Sequence, residues 1–136
     1  MRLLAIHPGP LMYTKVFLRL EPLGLELIAA AALREGHEVE LIDLQVEQHE
    51  DLFRRLAAFR PDVVAFSGNY LANVPEIIDL SKEIKRRRPA TYVVVGGHSA
   101  SFVADQLLNY ADGDIDCVLK GEGERGAIPG CRRPVR

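Results

Sequence analysis

Val63-Val64-Ala65-Phe66-Ser67-Gly68-Asn69-Tyr70 is an apolar run of strand length that opens onto small and polar residues. Its residues do not alternate between apolar and polar, so both faces of the strand they predict are covered, as in a parallel sheet. The stretch that follows, Pro75 to Arg88, carries Ile77, Ile78, Ser81 and Ile84 at helical spacing, with Pro75 suited to a first helical position. The next apolar run is Tyr92 to Val95, and it opens the same way, onto Gly96-Gly97-His98-Ser99-Ala100-Ser101. Strand, helix, strand is the unit of an open parallel sheet.

The unit repeats in both directions. Upstream, Leu3 to Ile6 and Val39 to Leu44 read as strands. Pro22 to Glu35 reads as a helix whose apolar positions are Leu23, Leu27, Ala30, Ala31 and Leu33, with Gly36 after it as a stop. His49 to Phe59 carries Leu52, Phe53, Leu56 and Phe59 and ends before Pro61. Downstream, Phe102 to Tyr110 reads as a helix and Ile115 to Leu119 as a fifth strand. Right-handed crossovers then predict a flavodoxin-like (Rossmann-like) α/β fold: five parallel strands in order 2-1-3-4-5, helices on both faces. The 136 residues suffice for one such domain. We read residues 1–124 as the domain and 125–136, rich in Gly, Pro and Arg, as a disordered or truncation tail. His7 to Glu21, roughly 15 residues, is long for a βα connection and is expected to cover the C-terminal strand edge.

Composition excludes several classes. The net charge of −2 gives no bulk electrostatic case for nucleic acid. Lys85-Arg86-Arg87-Arg88 falls at a helix end, where cations suit the dipole. The two cysteines form no zinc motif, and free thiols suit a cytoplasmic protein. No apolar run reaches membrane-spanning length. A phosphoryl-accepting receiver needs acids after the first and third strands, where His7-Pro8 and Ser67 stand. No G-x-G-x-x-G follows the first strand, and no Walker loop or G-x-S-x-G is present.

Ligands of open parallel sheets bind beyond the C-terminal strand ends. There the sequence places Pro8 and Gly9, then Ser67, Gly68, Asn69 and Tyr70, then Gly96, Gly97, His98 and Ser99, then Gly121, Glu122 and Gly123. Glycines let a ligand approach the backbone, and hydroxyls supply adaptable donors and acceptors. Singly, each has a structural alternative. Gly96-Gly97 can be a tight turn, Ser67 a helix cap, His7 a buried strand-end histidine, and Glu122 a solvated turn residue.

Several segments match a known family in order and spacing: Leu20-Glu21-Pro22-Leu23-Gly24-Leu25-Glu26, Gly36-His37-Glu38-Val39, Arg60 to Ser67, Val95-Gly96-Gly97-His98, and Asp116 to Glu124. The chain resembles the cobalamin-binding N-terminal domains of cobalamin-dependent radical-SAM enzymes. Pro10 to Lys15 with Leu18 to Gly24 looks most like the hopanoid C-3 methylase subgroup. The resemblance implies a cobalamin over the strand ends, its nucleotide tail beside Ser67 and Gly96-Gly97, serving as a methyl carrier. It implies a partner radical-SAM domain, absent here, that would hold S-adenosylmethionine and a 4Fe-4S cluster, and a lipid substrate near a membrane. The span matching the D-x-H-x-x-G motif is Ala5-Ile6-His7-Pro8-Gly9-Pro10. It keeps only the histidine of the three fixed positions, so His7 is a weak candidate for the cobalt ligand and no metal ligand is assigned. The competing readings are a flavin- or nucleotide-binding domain and a truncated remnant without cofactor.

Overall fold

The computed structural model describes residues 1–10 and 21–121. Residues 11–20 of the long connection from His7 to Glu21, the tail, and Glu122 and Gly123 lie outside these residues. The strands are β1 (Arg2–His7), β2 (Glu38–Asp43), β3 (Val63–Ser67), β4 (Tyr92–Gly96) and β5 (Cys117–Val118). They form one parallel sheet in the order β2-β1-β3-β4-β5, as expected. The helices are α1 (Leu23–Arg34), α2 (His49–Phe59), α3 (Val74–Arg87), α4 (His98–Phe102) and α5 (Ala104–Ala111), with a 3₁₀ turn at Leu71–Asn73.

Strand alternation divides the core in two. Leu4, Ile6, Val64, Phe66, Val93 and Val95 face α2, α3, α4 and α5, where Leu52, Leu56, Ile77, Ile84 and Leu107 are buried. Leu3, Ala65, Val94 and Cys117 face the other way and cluster with Ala32 of α1. Among the described residues, four helices thus cover one face of the sheet and one covers the other. Fully burying each of these aliphatic side chains contributes about 1.5–3 kcal/mol, so the inner strands anchor the whole arrangement.

Four local expectations need correction. In α1 the buried residues are Leu25 and Ala32, while Leu23, Leu27 and Leu33 are exposed. The helix is apolar almost all round, so two stripes compete. The stripe with the small Ala32 lets the helix approach Leu3 closely. The second correction is the single helix expected from Phe102 to Tyr110. It is broken at Val103, which leaves α4 and α5, and His98 to Ser101 are therefore helical. Third, β5 is only two residues long. Beside it the Asp116 carboxylate accepts the Val93 N–H at 2.7 Å and the Lys85 ammonium at 2.6 Å. Fourth, Pro75 is the second residue of α3, not the first. The basic run ends that helix as expected, with Arg86 and Arg87 both donating to Glu83. Those hydrogen bonds, Arg86 foremost, hold the Glu83 carboxyl down at about 2.

Candidate functional site

Among the described residues, the ends of β3 and β4 lie side by side at the C-terminal edge. β3 ends on Ser67 and β4 on Gly96, and the two are register partners. Counting by twos from Ala65, Val94 and Cys117 puts Ser67, Gly96 and Leu119 on the α1 side of the sheet. His7, four residues beyond Leu3, lies on the same side.

The glycines divide by what a side chain would meet. A Cβ at Gly97 would lie 2.7 Å from Asn69 Oδ1 and 2.9 Å from the Gly68 carbonyl carbon. A Cβ at Gly68 would lie 2.9 Å from the Ala100 Cβ and 3.1 Å from the Gly96 oxygen. Gly97 also has φ 106° and ψ 167°, a combination essentially confined to glycine. These two glycines let the loops after β3 and β4 press together. The contact is sealed by the Gly68 N–H donating to the Gly96 oxygen at 2.6 Å and the Ala100 N–H to the Gly68 oxygen at 2.9 Å. The Gly97 position, expected to open a path for a ligand, is therefore filled by protein, while open space remains at Gly96. A Cβ there meets nothing nearer than the Leu119 Cβ at 3.9 Å.

Ser67 is not a helix cap. Its Oγ accepts a hydrogen bond from Asn69 Nδ2 at 2.9 Å. Asn69 Oδ1 in turn accepts the His98 N–H at 3.3 Å, and Ser99 Oγ donates to the Asn69 carbonyl oxygen at 2.7 Å. His98 is exposed, with its ring edge-on to Phe102 at 5.0 Å. Tyr70, Leu71 and Phe102 are exposed apolar residues of the described chain, and Gly121 lies in an exposed turn.

The β1 end is organised differently from the expectation. Pro8 and Gly9 are buried. The Gly9 N–H donates to both Glu76 carboxylate oxygens at 3.2 and 3.0 Å, and its carbonyl accepts from Asn73 Nδ2 at 3.0 Å. The backbone of Gly9 is thus committed to α3 and its approach. It lines a cavity of about 590 Å³ together with Leu44, His49, Asn73 and Glu76. His49 Nε2 bonds Glu76 at 2.9 Å. Sequence reasoning missed Asn73 and Glu76, because a clamp across 64 and 67 residues leaves no local signal. His7 is 7% exposed, and its Nδ1 has no hydrogen-bond partner among the described residues. Burial lowers its pKa, against the pull of Asp43 and Glu76. The structural alternative weighed for it, a buried strand-end histidine, describes its position. Among the described residues no group of three or more His, Cys, Asp or Glu could hold a metal ion, and no helix is long and apolar enough to cross a membrane.

Fold and edge together define an open parallel α/β domain built to hold a ligand above the carboxyl ends of its strands. Residues 10–128 match the B12 binding domain family, and the chain belongs to that family. It is 63% identical over 127 residues to the hopanoid C-3 methylase of Methylococcus capsulatus, covering 93% of this chain and 25% of that protein. The chain thus spans about a quarter of that relative's length. Its fold is similar to a cobalamin-binding protein from Desulfitobacterium hafniense, with a TM-score of 0.67 and 17% identity over 91% of this chain and 54% of the other. It is also similar to OxsB, a cobalamin-dependent S-adenosylmethionine radical enzyme, with a TM-score of 0.74 and 16% identity over 92% of this chain and 17% of the other. This is a cobalamin-binding domain, and the flavin and nucleotide readings give way to it.

Such a ligand requires open space and hydrogen-bonding groups at the strand edge. The space at Gly96 admits a ligand chain where any other residue would place a Cβ. The hydroxyl of its register partner Ser67 retains hydrogen-bonding capacity beyond Asn69. The residues present fit the group.

Proposed function

We propose that the edge formed by Ser67 and Gly96 holds the cobalamin tail, within a longer protein that methylates a hopanoid-like lipid. The observation that carries this reading is the pairing of an open glycine with a hydroxyl on adjacent strand ends. The 63% identity to a hopanoid C-3 methylase supports the choice of reaction. When bound, cobalamin supplies methyl-carrier chemistry at cobalt, which belongs to the cofactor rather than the protein.

The chain's own residues bind and orient. Gly96 leaves room for the tail, and Ser67 donates a hydrogen bond to it. Tyr70, His98, Ser99 and Gly121 would line the rim that holds the macrocycle. Pro8, Gly9, Gly68, Asn69 and Gly97 act from behind, by fixing the loops that carry these groups. Burial lowers the pKa of His7, and no role at cobalt is assigned to it. In the whole protein a radical-SAM domain would hold S-adenosylmethionine and a 4Fe-4S cluster and would meet this rim. A cytoplasmic location beside the membrane suits a lipid substrate.

Titrating this chain with hydroxocobalamin and following visible absorbance tests the reading. A saturable spectral change, weakened at least tenfold by Gly96→Val with the fold retained, is the expected result. Saturation unaltered in that variant would remove the tail from this edge.

A further inference from the structure

A serine hydroxyl has one proton to give and two lone pairs to offer. Among the described residues the Ser67 hydroxyl has one partner, and that partner is a donor: Asn69 Nδ2 at 2.9 Å. With a lone pair taken by the amide, the proton of Ser67 points away from Asn69. An amide can in principle be turned over, which would present its oxygen to Ser67 instead. Here the other end of the amide decides. The His98 N–H, 3.3 Å away, donates to Oδ1, and a turned amide would set Nδ2 donor against donor there, so Oδ1 faces His98 and Nδ2 faces Ser67. The amide also stands where a Gly97 side chain would have been, with Oδ1 2.7 Å from that vacant Cβ position. The backbone of Asn69 is held by Ser99 Oγ at 2.7 Å. Oδ1 is thereby held against α4 and Gly97, and the main chain of Asn69 against Ser99.

The geometry points to Asn69 as a positioning residue that sets the polarity of Ser67, making its hydroxyl a donor toward the ligand. The ligand atom it selects is an acceptor: a phosphate or amide oxygen, or an unprotonated ring nitrogen, of the tail. Asn69 itself faces the protein and contributes through Ser67. The inference rests on the proposal that the tail lies beside Ser67 and Gly96.

The test is a double-mutant cycle read by hydroxocobalamin titration, with urea denaturation as the folding control. Asn69→Asp keeps an acceptor for the His98 N–H but replaces the donor facing Ser67 with a second acceptor. The Ser67 proton then turns inward to the carboxylate. Asn69→Asp is expected to weaken binding about 3- to 10-fold, close to the loss in Ser67→Ala, as suits one neutral hydrogen bond. In a Ser67→Ala background Asn69→Asp should change affinity less than twofold. Equal losses in both backgrounds, or no loss in either, would overturn the inference, since a charge or packing effect needs no Ser67. Should Asn69→Asp lower the urea midpoint sharply, Asn69→Ala replaces it, with a smaller loss that again vanishes without Ser67. If the unmodified chain shows no spectral change at all, the cobalamin assignment fails and this inference with it. Binding by the unmodified chain with additive variants sinks the inference alone.

Discussion

Two adjacent glycines at one strand end should behave in opposite ways. Gly97→Ala puts an L-residue at φ 106° and ψ 167°, which costs of order 1–3 kcal/mol. Its Cβ would also stand 2.7 to 3.0 Å from Asn69 Oδ1 and from the Gly68 backbone, with one of three contacts a movable side chain and two of them main chain. Relieving such overpacking typically costs a further 1–3 kcal/mol or so. The sum is roughly 4 kcal/mol, a large part of a stability of about 5–15 kcal/mol. Gly96→Ala meets only the Leu119 Cβ at 3.9 Å, an ordinary contact, and should change stability by less than about 0.5 kcal/mol. Urea denaturation followed by circular dichroism separates the two. With a slope near 2 kcal/mol/M or so, Gly97→Ala should lower the midpoint by about 2 M and Gly96→Ala by less than about 0.3 M. A Gly97→Ala midpoint equal to that of the unmodified chain would refute the reasoning. So would equal damage from both substitutions, because a Cβ at Gly97 would stand against protein and one at Gly96 in open space.

Other outcomes follow from the clamps around the edge. His7 has a lowered pKa in the fold, so the unfolded chain takes up its proton first as pH falls. Its contribution is present above the ordinary value of 6.5 and is lost as pH falls from there to the lowered folded value. His7→Gln should flatten the stability difference between pH 7.5 and 5.5 measured by urea midpoints, and an unchanged difference would count against burial as the cause. Glu76→Ala leaves the Gly9 N–H without its acceptor and should cost about 1–3 kcal/mol. Hydrogen exchange at the Gly9 amide should accelerate with it, and protection that persists would show another acceptor. Asp116→Ala removes the partner of both Lys85 and Val93 and should cost a similar amount, about 1–3 kcal/mol by thermal or urea unfolding. A loss below a few tenths would mean that water replaces the carboxylate.

The sheet was legible because its inner strands are continuous apolar runs, and Val63–Ser67 and Tyr92–Gly96 fall within a residue of their predicted bounds. Helices with a single apolar stripe, such as His49–Phe59, were equally plain. The face of α1 was not, because alanines and leucines surround it and only docking against Leu3 selects a side. The α4 turn was hidden for a related reason. It depends on Ala100 and Ser101 finding acceptors at Gly68 and Gly97, contacts that periodicity does not encode. At the proposed site, the sequence placed these residues at one strand edge without distinguishing open positions from those packed against protein. Gly96 and Gly97 look alike on paper, and Gly9 looks free until Glu76 and Asn73 are seen to hold it.

The keyed loops at Gly68 and Gly97 bear on how fast a ligand can arrive. Each loop fills the notch the other leaves, so neither can splay without breaking the Gly68 to Gly96 hydrogen bond. The ordering of this rim was completed when the chain folded, and a ligand docking there faces no further loss of backbone freedom on the β3–β4 side. Association should then follow single-phase kinetics with a rate rising linearly with ligand concentration, without the plateau that a slow opening step imposes.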